Sequence, residues 1–89
     1  EAERIGLVNK VVPHDELMAH ALEMARTFAG KAPMAMRYAI AAVNEGIGST
    51  LAEGQRVEAL YFGLCCATED KFEGMTAFLE KRKAEWKGN

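Results

Sequence analysis

What is scarce in this 89-residue sequence narrows it first. It has two cysteines, Cys65 and Cys66, and they are adjacent. A disulfide between neighbours is strained, and one pair cannot staple a small secreted fold. The two thiols therefore read as reduced residues within a helix, which favours a reducing compartment. No apolar run approaches the ~18 residues a membrane span requires, and no signal peptide is visible. There is no excess of basic charge: 11 Lys and Arg stand against 13 Asp and Glu, for a net charge of -2. That balance excludes a general binder of nucleic acid or of an anionic membrane, but it leaves room for one local basic patch. His14 and His20 lack the cysteine or carboxylate spacing of a metal site, so no metal is expected. Gly46-Ile47-Gly48 lacks the preceding strand and the third glycine of a nucleotide loop, and reads as a turn. Repeats and low-complexity tracts are also missing.

What is present is apolar substance. A hydrophobic fraction of 49% is too high for a disordered tail and sufficient for a packed core. The chain opens on Glu1 rather than Met, and "EAERIGL" reads as the last turn of a helix stopped by Gly6. The expectation is a C-terminal piece of a larger protein. Leu7 to Val12, "LVNKVV", ends at Pro13 and reads as a short extended segment, which needs a strand partner elsewhere or lies on the core as a linker.

Helical spacing dominates from there. Asp15 and Glu16 suit a helix N-terminus, and Leu17, Ala21, Met24, Ala25 and Phe28 recur at helical spacing up to Gly30. Pro33 fits the first turn of a second, alanine-rich helix running to about Asn44, with Met34, Tyr38, Ala41 and Ala42 on one side. Thr50 and Glu53 form a T-x-x-E capping box that opens a third helix striped by Val57, Leu60, Tyr61 and Leu64. Thr68 is the N-cap of a fourth helix, followed by Glu69 and Asp70 at its positive end and striped by Phe72, Met75, Phe78 and Leu79. Within it Gly74 costs about 1 kcal/mol relative to alanine, which points to close approach by a helix of this subunit or of an adjacent one. The fourth helix closes on Glu80-Lys81-Arg82-Lys83. The fold class is therefore all-α: a small bundle of about four helices behind a short extended N-terminal segment.

The segments "AERIGLVNKVVPHDEL", "KAPMAMRYA", "LAEGQRVEALYF" and "TEDKFEGMTAFLEKRKAEW" resemble, in order, the C-terminal helical part of the enoyl-CoA hydratase/isomerase (crotonase) superfamily. The most specific part is T-E-D-x-x-E-G-M-x-A-F-x-E-K-R; the pairing of A-x-x-x-G-L-V-N with V-x-P comes next. The resemblance implies that residues 1–12 end an upstream core and that residues 13–89 form a helical domain for oligomerisation and coenzyme A coverage. It implies a parent enzyme that hydrates trans-2-enoyl-CoA to 3-hydroxyacyl-CoA, as in fatty-acid β-oxidation. The oxyanion hole and the paired glutamates of that reaction would lie upstream of Glu1. No catalytic residue is expected in this segment, and no cofactor: the coenzyme A thioester is the substrate. The implied partners are acyl-CoA and further copies of the chain in a trimer or hexamer. The implied location is the bacterial cytoplasm or the mitochondrial matrix.

Three positions carry the implied coenzyme A contact: Lys81, Phe78 and Phe62. A lysine is a movable point charge suited to a phosphate at a solvated mouth, and in the last helical turn it also suits the negative helix end. The competing readings are a solvated charged turn for Lys81 and plain core packing for the two phenylalanines. Arg82 and Lys83 read as solvated, because neighbouring helical positions face different ways. Isomerases, dehydratases and hydrolases of the superfamily share similar tails, and a stand-alone helical interaction module is the rival of another class.

Overall fold

The computed structural model describes all 89 residues and contains four α-helices and no strand. They are α1 (Leu17–Ala29), α2 (Pro33–Gly46), α3 (Leu51–Cys66) and α4 (Glu69–Leu79); one 3-10 turn, His14–Glu16, leads into α1. The all-helical class read from the sequence holds.

Local chemistry sets most boundaries. Residues 1–5 form a single helical turn that Gly6 closes in the left-handed region, with φ 79. Leu7 N–H donates to the Ala2 carbonyl at 2.8 Å and Gly6 N–H to the Glu3 carbonyl at 3.1 Å. That double bond pattern is the Schellman termination, which glycine enters without a Cβ clash. The following segment pairs with no strand. Val11 gives its N–H to the Glu3 carboxylate at 3.1 Å, which ties the "LVNKVV" stretch to the first turn.

Gly30 ends α1 with φ -81, without using a left-handed turn, and Pro33 begins α2 as expected. α2 extends to Gly46, past the expected end at Asn44. At the start of α3, Thr50 Oγ1 accepts the Glu53 N–H at 3.2 Å. Only half of the capping box forms, because the Glu53 side chain turns to Arg56, accepting its Nε–H at 3.0 Å.

α2 and α3 are the helices that pack along their lengths, as an antiparallel hairpin. Glycines permit its tight end: a Cβ built on Gly54 would lie 3.5 Å from Gly46 Cα. Further along, the Tyr38 and Tyr61 rings meet at a centroid separation of 5.6 Å, and the Tyr61 hydroxyl donates to the Glu45 carboxylate. That acceptor and its negative charge push the Tyr61 phenol up from its ordinary value.

The four helices share no common core. Val57, Asp70 and Ala77 are the buried residues. The accessible surface is 7339 Å², against roughly 5,200 Å² for a compact monomer of this mass. The radius of gyration is 16.4 Å, where about 12 Å is ordinary for this length. The apolar stripe expected to be buried on α4 is open: Phe72, Met75, Phe78 and Leu79 are all exposed. The hydrophobic content of the sequence is thus spent on surfaces that this chain alone leaves uncovered.

Candidate functional site

The site is built at the two ends of α4. Thr68 starts the helix as its N-cap: its Oγ1 accepts the Lys71 N–H at 3.2 Å and donates to the Cys65 carbonyl at 2.7 Å. Asp70, in the first turn, does more than answer the helix dipole. It is 3% exposed, and its two carboxylate oxygens accept the Lys87 and Gly88 N–H groups, each at 2.8 Å. Its own N–H, unpaired within the helix as first-turn donors are, goes to the Asn89 main-chain oxygen at 2.9 Å. The C-terminal tail therefore folds back along α4 and closes on its start.

Midway along that return, Trp86 covers Gly74. A Cβ at Gly74 would sit 3.0 Å from Trp86 Cη2 and 3.1 Å from Cζ3. The indole N–H donates to the Gly30 carbonyl at 2.8 Å, fastening the tail to the junction of α1 and α2. The mid-helix glycine does mark a close approach, but its neighbour is a tryptophan of the tail rather than another helix.

The basic run lies where α4 stops. Sequence spacing put Lys81 in the last helical turn; it stands one residue beyond the C-cap, Glu80. Its φ is 56, the one non-glycine residue in the left-handed region. Lys81 N–H donates to the Phe78 carbonyl at 3.2 Å and Arg82 N–H to the Ala77 carbonyl at 3.0 Å, the same double termination seen at Gly6. A side chain in this conformation costs about 1–2 kcal/mol, and such strain persists only where the surroundings over-determine it.

Arg82 supplies those surroundings, and it is not the freely solvated base expected. Its Nη1 and Nη2 donate to the two oxygens of Glu73 at 2.7 and 3.2 Å, and its Nε donates to Glu80 at 2.6 Å. Glu73 also accepts the Glu85 N–H at 2.8 Å. The guanidinium, and then that N–H, hold the Glu73 carboxyl down at about 2; the bonds to Glu73 and then Glu80 push Arg82 further up. Lys81 and Lys83 enter no ion pair.

The structure groups Phe78 with Lys81 at this corner, since the Phe78 carbonyl caps the Lys81 turn. The Phe78 side chain is 83% exposed. Phe62, also exposed, lies elsewhere, in an open groove of about 590 Å³ along the α2–α3 hairpin shared with Tyr38, Ala42, Leu51 and Cys65. His14 and His20 join no cluster of three metal-donor side chains; His20 Nε2 lies 3.6 Å from Glu16. No helix is long and apolar enough to cross a membrane. Sequence reasoning missed Asp70 as the clamp on the tail, Glu73 as the partner of Arg82 and Trp86 as the neighbour of Gly74. The one signal was the unexplained Gly74, and it pointed to Trp86 alone.

The chain is thus an all-α segment without a common core, with a tail pinned across α4 and a basic corner held in a left-handed turn. Comparison with known proteins gives that segment its family. The family model for enoyl-CoA hydratase/isomerase matches residues 1–89. A crotonyl-CoA hydratase of Syntrophomonas wolfei is 50% identical over 86 residues, covering 97% of this chain and 33% of the relative. A short-chain-enoyl-CoA hydratase of Clostridium acetobutylicum is 46% identical over 85 residues, covering 96% of this chain and 33% of the relative. Among solved structures, an enoyl-CoA hydratase/isomerase from Mycobacterium paratuberculosis superposes with a TM-score of 0.94 at 33% identity, over 99% of this chain and 35% of that one. An enoyl-CoA hydratase from Bacillus anthracis does so with a TM-score of 0.93 at 38% identity, over 99% and 34%. This chain belongs to the enoyl-CoA hydratase/isomerase family. It spans about a third of the length of the curated relatives it matches, and it corresponds to their C-terminal part.

Proposed function

We propose that this chain is the C-terminal helical part of an enoyl-CoA hydratase that adds water to a trans-2-enoyl-CoA to give the 3-hydroxyacyl-CoA. In this reading residues 13–89 contribute subunit contacts and coverage of coenzyme A, and residues 1–12 join them to the core that performs the chemistry. No cofactor is needed, because the thioester is itself the substrate. The observation that carries the reading is the whole-length match to hydratases by a segment with no core of its own. Its surplus surface over a compact monomer, about 2,200 Å², is the size of an obligate interface. Exposed Phe72, Met75, Phe78 and Leu79 are suitable material for contacts with the core and with neighbouring copies in a trimer or hexamer. Relatives from bacteria and a mitochondrial relative support a bacterial cytoplasmic or mitochondrial-matrix enzyme.

Within that reading Lys81 is the contact for a coenzyme A phosphate, and Phe78 and Phe62 pack near the coenzyme A and acyl moieties. A lysine at an exposed helix end, without a carboxylate partner, is free to meet a phosphate. No side chain here is assigned to catalysis. The test is the full-length enzyme, assayed by loss of enoyl-thioester absorbance. Lys81→Ala should raise KM for crotonyl-CoA about tenfold with little change in kcat, because phosphate binding is remote from the reacting carbons. An unchanged KM would remove Lys81 from the site. Failure of the wild-type protein to hydrate any enoyl-CoA, with turnover of a related acyl-CoA instead, would move the parent to another activity of the same family.

A further inference from the structure

The basic corner contains a device that phosphate binding alone does not explain. Lys81 adopts the backbone conformation that glycine adopts most readily, and yet the position is a lysine. Two carboxylates flank it. Glu80 precedes it in sequence, and Glu73 reaches the same turn from one side of α4. Left unpaired, either carboxylate would attract the Lys81 ammonium and repel an incoming phosphate. Arg82 engages both at once, Glu73 through a two-pronged fork at 2.7 and 3.2 Å and Glu80 through Nε at 2.6 Å. The same guanidinium donates to the Lys83 carbonyl at 3.3 Å, so one side chain bridges α4, the cap residue and the chain leaving the turn. Glu73 in turn holds the tail through the Glu85 N–H at 2.8 Å. Lys81 is thus framed by bonds on both sides, while its own ammonium is left out of every ion pair.

We infer that Arg82 is a positioning residue for Lys81: its fork onto Glu73 and Glu80 fixes the left-handed turn and occupies the two carboxylates that would otherwise compete for the lysine. Arg82 does not touch the ligand in this arrangement, although as a base in an E-K-R-K run it is an obvious candidate to do so. The inference rests on the reading of Lys81 as the phosphate contact.

The experiment is a set of full-length variants assayed with crotonyl-CoA: Lys81→Ala, Arg82→Gln, Glu73→Gln and the double variant Lys81→Ala/Arg82→Gln. Arg82→Gln should raise KM several-fold with kcat retained. Glu73→Gln should raise KM in the same direction, because it breaks the fork while leaving the arginine's charge in place. In the Lys81→Ala background, Arg82→Gln should add little, since a positioning residue has nothing left to position. A fully multiplicative double variant would overturn the inference by showing that Arg82 acts independently of Lys81. So would a lowered KM in Glu73→Gln, which would mark a freed Arg82 as a phosphate contact itself. An unchanged KM in Arg82→Gln beside a raised KM in Lys81→Ala overturns the positioning role and leaves the lysine reading intact. An unchanged KM in Lys81→Ala defeats the underlying reading and the inference with it. Arg82→Lys separates charge from fork: it should recover only part of the loss, because an ammonium cannot hold both Glu73 oxygens and Glu80 in the fork geometry.

Discussion

Trp86 occupies the space that a side chain at Gly74 would need: a Cβ there would come within 3.0 Å of the ring's Cη2. The ring has little freedom to give way, because its N–H is tied to the Gly30 carbonyl at 2.8 Å. Gly74→Ala therefore sets two effects against each other. Helix propensity favours alanine by about 1 kcal/mol, while overpacking costs about 1–3 kcal/mol. The expected balance is a loss of about 1 kcal/mol in the full-length protein. Trp86 is the only tryptophan of the 89 residues. In a parent whose other tryptophans are replaced, its emission should shift to the red as the ring is displaced. A rise in melting temperature with unshifted emission would show that the ring yields.

The same substitution has the opposite sign at Gly54. A Cβ there meets Gly46 Cα at 3.5 Å and the Gly46 carbonyl oxygen at 3.6 Å, which is ordinary contact. Gly54→Ala should stabilise by up to about 1 kcal/mol through helix propensity. Gly54→Leu should wedge the hairpin open and destabilise by about 1–3 kcal/mol. Chemical denaturation of the three proteins checks the order Ala above Gly above Leu.

These two glycines show what a sequence can disclose and where it stops. Thr50, Thr68 and Gly6 were legible as caps because a cap depends on neighbours three to five residues away. Gly74 was legible as an anomaly, since helices disfavour glycine, but its partner is 12 residues onward in a tail without periodicity. Asp70 read as a response to the helix dipole because its first-turn position accounts for it fully; its burial depends on where residues 87–89 return. Arg82 read as solvated for a related reason. Helical spacing puts its reach at three or four residues, whereas the Schellman turn folds it back to Glu73, nine residues earlier. The exposed stripe of α4 was read correctly as apolar. Its openness was not legible, because helical spacing shows which residues share a face and not what packs against it.

Asp70→Ala should loosen the tail selectively. It leaves the Lys87 and Gly88 N–H groups, both part-buried, without their acceptor, a loss of about 2–4 kcal/mol for two charge-assisted bonds. Amide exchange at residues 87 and 88 should rise toward the rate of an unstructured chain, while exchange in α2 and α3, which make none of these bonds, stays slow. Asp70→Asn keeps one acceptor oxygen and should show a smaller effect. Equal protection of residues 87 and 88 in wild type and Asp70→Ala would count against the clamp.

Glu73 predicts an acid limb. Its carboxyl is held at about 2 in the folded chain, against an ordinary value of 4.5, chiefly by the Arg82 fork. The unfolded chain therefore binds the proton more readily. The stabilisation from Glu73 is complete above pH 4.5 and is lost as the pH falls toward about 2. Glu73→Gln should be less stable than wild type at neutral pH and should lose less on acidification, so the two stability curves converge below pH 4.5. Curves that stay parallel down to about pH 2 would show that the fork does not hold the carboxylate in solution.

Lys81→Gly separates stability from binding at one position. The left-handed turn at φ 56 is strained for lysine and natural for glycine, so relief of strain favours glycine by about 1 kcal/mol, less a few tenths for the greater freedom of the unfolded chain. Lys81→Ala gains no such relief, because alanine meets the same Cβ clash. Both variants remove the ammonium, so both should raise KM for crotonyl-CoA by a similar factor, about tenfold. The expected pattern is therefore one protein more stable than wild type and one not, with matching defects in binding. If Lys81→Gly raised the melting temperature and left KM unchanged, the strain would have no binding role, and the corner would be only a helix end with an ill-suited residue. Matching KM defects with divergent stabilities would establish that a lysine is kept in a glycine's turn for what its ammonium reaches.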